Sequence, residues 1–145
     1  MRVQLPTAAV LALLTLPLVF SGCTTATTGP TSNVPFSQVD LRIGDGAVAL
    51  TTSTITAHYT GWIYSPTALD QKGLVFDTSA GKDPITVMLG AAMVIAGWDE
   101  GIPGMKVGGV RRLVIPPGSA YGSTRVASLP PNATLIFEIT LVGVQ

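Results

Sequence analysis

Side chains able to make or break a covalent bond are scarce in this 145-residue chain, which has one Cys, Cys23, and one His, His58. A single Cys excludes an intramolecular disulfide framework and any multi-cysteine zinc or iron–sulfur site. With only one His, a zinc site would have to draw on carboxylates spread along the sequence. His58 falls on the outward side of an alternating run, where it reads as a surface strand residue. The residues left to carry a function are a set of aromatics, Tyr59, Phe76, Trp98, Tyr121 and Phe137, with Asp77 among them. Tyr121, inside Ala120-Tyr121-Gly122 in a loop, is the hardest to assign to packing, because an exposed loop aromatic needs a pocket or a partner. On spacing alone, Tyr59 and Phe137 are core-facing strand residues, Trp98 packs from a helix, and Asp77 stabilises the turn at Thr78-Ser79.

The elements that must position this set follow from periodicity. Ile55, Ala57, Tyr59, Gly61 and Ile63 fall on one side of a strand, opposite Thr54, Thr56, His58, Thr60 and Trp62. Leu135, Phe137, Ile139 and Leu141 repeat the pattern, so the two runs predict neighbouring antiparallel strands, each buried on one side. Further strands are predicted at residues 39–43, 85–89 and 107–115, a turn at Asp45-Gly46, and loops at 66–73 and from Pro116-Pro117-Gly118 to Pro130-Pro131. Arg111 and Arg112 point to opposite faces of their strand and form no basic patch. The only helical spacing is Val94, Trp98, Ile102, stopped by Pro103-Gly104. Its two glycines make that helix poor in isolation, so packing must stabilise it. The expected fold is α+β, a curved antiparallel sheet wrapped around one short helix.

Composition limits the remaining possibilities. Eight Lys and Arg balance eight Asp and Glu, which excludes the basic footprint of a nucleic-acid binder. Arg2, an apolar run from Ala8 to Phe20 and then Ser21-Gly22-Cys23 make residues 1–22 a signal peptide, since the run is too short for a transmembrane anchor. The close of that segment resembles a bacterial lipoprotein cleavage site, which implies lipidation of Cys23, attachment to a lipid membrane, and residence in a bacterial cell envelope facing the periplasm or the exterior. Residues 23–35, rich in Thr, Pro, Ser and Gly, read as a flexible tether. Residues 36–145 are then the folded domain.

Seven blocks in order, among them Ala57-His58-Tyr59-Thr60-Gly61-Trp62, Phe76-Asp77-Thr78-Ser79, Val94-Ile95-Ala96-Gly97-Trp98-Asp99-Glu100-Gly101, Ile115-Pro116-Pro117 and Ala120-Tyr121-Gly122, resemble the FKBP-type peptidyl-prolyl cis-trans isomerases. The blocks run through Pro130-Pro131-Asn132-Ala133-Thr134-Leu135-Ile136-Phe137-Glu138 and cover nearly all of residues 47–142. The resemblance implies a five- to six-stranded half-barrel around a short helix, an aromatic-walled pocket, and isomerisation of X-Pro bonds without metal or cofactor. It implies that Tyr59, Phe76 and Phe137 wall the pocket, that Trp98 floors it, and that Val94 and Ile95 meet the proline, with the Ile95 N–H offered to substrate. Asp77 would form a polar edge, Tyr121 would present its hydroxyl to a substrate carbonyl, and Ile85 and Leu129 would add apolar rim. Tyr59, Asp77, Trp98, Tyr121 and Phe137 form the expected catalytic set.

Partners implied are proline-containing peptides and unfolded exported proteins. A noncatalytic module that grips proline-containing segments is the alternative on the same fold. The sequence departs from the family where Gly81 stands near the position of an Arg that reaches back to the aspartate. Asp77 therefore lacks that expected partner, which implies weak macrolide binding. Ile85 also replaces an aromatic rim residue, and the loop at 122–128 is a residue shorter and lacks the family's His.

Overall fold

The computed structural model describes residues 34–145. The predicted signal peptide, Cys23 and nearly all of the tether lie outside the described residues. Six strands form one antiparallel sheet: β1 (Ser37–Arg42), β2 (Thr54–Tyr64), β3 (Lys72–Thr78), β4 (Ile85–Met88), β5 (Val110–Ile115) and β6 (Leu135–Val144). Their order is β1-β5-β6-β2-β3, with β4 paired to the first part of β2 beyond the stretch that β3 occupies. The two longest strands, β2 and β6, are neighbours at the centre, as their alternation predicts. Ile55 and Ala57 of β2, Leu113 and Ile115 of β5, and Leu135, Phe137, Ile139 and Leu141 of β6 bury one face of the sheet. Ile136, on the other side of β6, is buried as well.

The expected half-barrel is not what these strands make. The path ends at β1 and β3, which do not pair with each other, so the sheet is open, neither closed nor strongly curled. Closing a sheet requires a continuous stagger around the ring. Here the outer side of β2 is divided between two short strands, and the β2–β3 register shifts on both sides of Trp62. β3 itself falls partly within the stretch expected to be loop. Its burial does not alternate, so period two is invisible in its sequence.

The helix α1 spans Ala96–Gly101, two residues shorter at its start than the apolar spacing suggests, with Ile95 as an extended N-cap. It lies on the buried face over β5. A Cβ at Gly97 would sit inside the Ile115 side chain, and one at Gly101 would come within 2.6 Å of Leu113 Cδ2. The two glycines that weaken the helix in isolation therefore let its backbone seat directly on the sheet. That contact fixes the height of Trp98, which points into the core from the same turn and is 3% exposed.

Candidate active site

Four strands, the helix and the loop after β5 meet at the N-terminal end of α1. The close seat of the helix on β5 leaves an open cleft of about 150 Å³ toward β2, β3 and β4. Tyr59 enters from β2, Phe76 and Asp77 from β3, Ile85 from β4, Phe137 from β6, Trp98 from the helix and Tyr121 from the loop after β5. Met93, Val94 and Ile95, on the segment leading into α1, line the remaining side.

The aromatics stand mostly edge to face. Ring centroids lie 5.3 Å apart for Tyr59–Trp98, 5.4 Å for Trp98–Phe137 and 5.5 Å for Phe76–Phe137, with interplanar angles of 80°, 88° and 87°. This arrangement sets the positive edge of one ring against the negative face of the next, and each pair is worth about 0.5–1.5 kcal/mol beyond its burial. Gly61 makes room for it: a Cβ there would come within 2.7 Å of Phe76 and 3.0 Å of Phe137. The result is a rigid apolar box. Beneath it, the Trp98 indole Nε1–H is a buried donor with no partner among the described residues. A donor left so costs about 1–3 kcal/mol, which a carbonyl or water reaching it would recover.

One polar edge borders the box. Tyr59 Oη donates to Asp77 Oδ2 at 2.5 Å, and the Thr78 N–H donates to Asp77 Oδ1 at 2.8 Å. Among the described residues no arginine reaches Asp77; a tyrosine hydroxyl and a backbone N–H hold it. Gly81 sits at φ +74° with open space around it. Burial, then the Asp77 hydrogen bond and charge, push the Tyr59 phenol up to about 12. Tyr121, 38% exposed, is also raised, by burial and then by the charge of Asp77. Both tyrosines are therefore protonated donors at neutral pH. Behind this edge, Ser79 Oγ accepts the Tyr59 N–H at 2.9 Å and meets His58 Nδ1 at 3.1 Å, and Thr60 and Thr78 hydroxyls meet at 2.9 Å. These contacts pin β3 to β2. His58 itself lies on the outer face, away from the cleft, as its place in the alternation predicts.

Nine of the ten residues expected at the site lie together in the cleft. The exception is Leu129, which is 4% exposed and belongs to the core cluster, not to the cleft lining. Met93, 60% exposed, is the cleft residue that the sequence reading omits. It stands one position before the expected pair Val94-Ile95, in a turn no periodicity marks, after Ala92 at φ +54°.

Comparison with known proteins agrees with this geometry. Residues 46–142 match the family model of the FKBP-type peptidyl-prolyl cis-trans isomerases. An FK506-binding protein of Neisseria meningitidis serogroup A is 45% identical over 107 residues, covering 72% of this chain and 92% of that protein. Among solved structures, AtFKBP13 superposes with a TM-score of 0.63 at 34% identity, covering 76% of this chain and 93% of the other. FkpA from Escherichia coli does so with a TM-score of 0.63 at 35% identity, and there the chain spans about half the length of its neighbour, 48%.

Proposed function

The chain belongs to the FKBP-type peptidyl-prolyl cis-trans isomerase family and catalyses rotation about the peptide bond before proline, and on that premise we propose that the cleft at the head of α1 is where it does so. The observation that carries this reading is the aromatic box bordered by one tyrosine–aspartate pair. An X-Pro bond isomerises over a barrier of about 18–20 kcal/mol because rotation destroys amide resonance, and no bond has to be broken. The site then needs to hold the amide twisted in a dry place and to satisfy its flanking carbonyls. The box receives the rigid, apolar proline ring over the flat face of Trp98. The Ile95 N–H and the Tyr121 hydroxyl hold neighbouring carbonyls, and donors of this kind gain strength where water is excluded. Asp77, oriented by Tyr59, supplies the polar edge against which the twisted carbonyl turns.

The substrates in this reading are exported polypeptides, whose folding the enzyme assists. Cys23 carries lipid, residues 24–35 tether the domain to a membrane of a bacterial envelope, and the cleft faces the periplasm or the exterior. The signal-like run before Cys23 supports this, and replacing Cys23 by Ser tests it: the protein should move from the membrane fraction to the soluble one. Retention of the Cys23→Ser protein in the membrane would contradict lipidation. Macrolides bind weakly, because the open space at Gly81 removes a wall from the Asp77 side. Displacement of a fluorescent macrolide at nanomolar concentration would overturn that part. For the cleft itself, titration with a short X-Pro peptide should shift the amide resonances of Ile95 and Asp77 and the indole resonance of Trp98. Shifts confined to the outer face around His58 would contradict the assignment.

A further inference from the structure

β3 ends the strand path and contributes Phe76 and Asp77 to the cleft, so its free edge continues directly from the site. The residues before them are apolar and in solvent. Leu74 is 78% exposed, Val75 54%, and Leu69, in the turn entering the strand, 89%. Single exposed apolar residues are ordinary, but a free edge is usually blunted by a charge or a proline standing over its backbone groups. Over residues 73–76 that protection is absent: the lysine that does stand on a backbone group of this strand, Lys82, donates to the Thr78 carbonyl at its far end, 3.1 Å away. Lys72, at the start of the strand, is drawn back onto the sheet, its ammonium 2.6 Å from Glu138 Oε1 and 4.5 Å from the Trp62 ring centre. Asp77, at the other end, is held by Tyr59 and Thr78. Between the two lie Gly73, Leu74, Val75, Phe76 and no ionisable side chain. Register shifts on both sides of Trp62 leave Leu74 and Phe76 without Cα partners in the β2 ladder. Such bulges re-aim side chains beside active sites.

We propose that this edge is a second docking stretch for the substrate: the extended, apolar segment flanking the bound proline lies along Leu74 and Val75 and adds to the sheet as a further strand. The inference rests on the reading that the proline occupies the cleft. Phe76 and Leu74 are two positions apart, roughly 7 Å along a strand, so residues two to four places from the proline reach the edge. Main-chain pairing accepts many sequences, while exposed Leu and Val favour apolar side chains beside them. Both properties suit unfolded chains and are of no use to a minimal peptide. A second copy of this chain is a poorer occupant. A stable dimer buries about 1,200–2,000 Å², more than one short, bulged edge offers.

The test compares two substrates on the full chain: a four-residue X-Pro peptide and a longer unfolded polypeptide whose refolding is limited by prolyl isomerisation. Replacing Leu74→Ser together with Val75→Ser should raise KM for the polypeptide roughly fivefold and leave kcat/KM for the short peptide within about twofold. Replacing both by Lys should give the same split. Equal losses on both substrates, or none on either, would overturn the docking stretch. A wild-type chain that accelerates neither substrate would instead strike the cleft assignment on which the stretch depends. Sedimentation of the same proteins covers the remaining occupant: self-association of wild type that the Ser pair abolishes would give the edge to a second copy and refute the proposal.

Discussion

Two aspartates sit near opposite ends of α1, and each has both carboxylate oxygens hydrogen-bonded. Asp40, on β1, takes Arg111 Nε on Oδ1 at 2.6 Å and Nη2 on Oδ2 at 3.0 Å. The same guanidinium, 6% exposed, donates Nη1 to the Gly101 carbonyl at 2.8 Å and the Pro103 carbonyl at 3.2 Å. One side chain thus ties β1, β5 and the C-terminal end of the helix. Asp77, beside the N-terminal end, is exposed and held by a neutral hydroxyl and a backbone N–H. The contrast separates two uses of one residue type. A carboxylate locked by a buried fork of donors fixes the helix, whereas one held by neutral donors can turn part of its bonding toward a ligand.

Breaking the first corner should cost most. Arg111→Met leaves Asp40 and two carbonyls without their donor and should lower unfolding free energy by about 3 kcal/mol in urea titration. A loss below about 1 kcal/mol would mean that Arg111 is not the clasp. Acid should act at the same corner. The Arg111 hydrogen bond holds the Asp40 carboxyl below its ordinary value of 3.8. Its folded-state pKa is depressed, so its contribution is complete above the unfolded value and is lost as pH falls through the folded one. Wild type should therefore lose this increment of stability only below about pH 4, and Asp40→Asn should lack that dependence.

The second corner should trade activity for almost no stability. Tyr59→Phe removes the hydroxyl that orients Asp77 and should lower kcat/KM for an X-Pro peptide about fivefold, close to 1 kcal/mol in the barrier. Its melting temperature should stay within a few degrees, and a collapse of the fold would make Tyr59 a core residue first. A third cluster calibrates the pair. Glu138, on the outer face, receives Lys72 at 2.6 Å and Arg112 at 2.9 Å. Burial works against its charge, yet these two cations hold its carboxyl below the usual range. Part-exposed pairs are weak, so Glu138→Gln should cost under about 1 kcal/mol, less at high salt. The smallest effect is on the pH profile. With Tyr59 raised to about 12 and Tyr121 raised as well, both hydroxyls keep their protons and tyrosine ionisation should leave the rate flat between about pH 6 and 9. A rate that falls on a tyrosine titration inside that range would show that one of them is not the donor assumed.

How much of this the sequence shows depends on where the information lies. β2 and β6 alternate because one face is buried along much of their length, Ile136 being buried on the other, and the motif blocks carry eight of the nine cleft residues, Ile85 falling between them. β3 escapes because a bulged edge strand has no buried face to impose period two on Leu74 and Val75. Arg111 and Arg112 are read as lying on opposite faces, yet the role of Arg111 on the buried one depends on Asp40, 71 residues away, and no local spacing reports that. Gly81 near the place of the expected arginine predicts that Asp77 lacks that partner, but not that the Tyr59 hydroxyl bonds it, since two adjacent strands must pair before the hydroxyl comes within reach. The half-barrel fails for a related reason: periodicity gives strands and neighbours, whereas closure depends on how the two ends of the sheet meet.

The most direct test of the cleft as the isomerisation site is the cis-trans exchange rate of a short X-Pro peptide, measured by NMR with the full chain and with its Asp77→Val and Tyr121→Phe variants at matched folding. Acceleration by wild type that falls about tenfold in the first variant and about threefold in the second is the expected result. Acceleration left unchanged by both substitutions would place the chemistry elsewhere on the molecule and contradict the account.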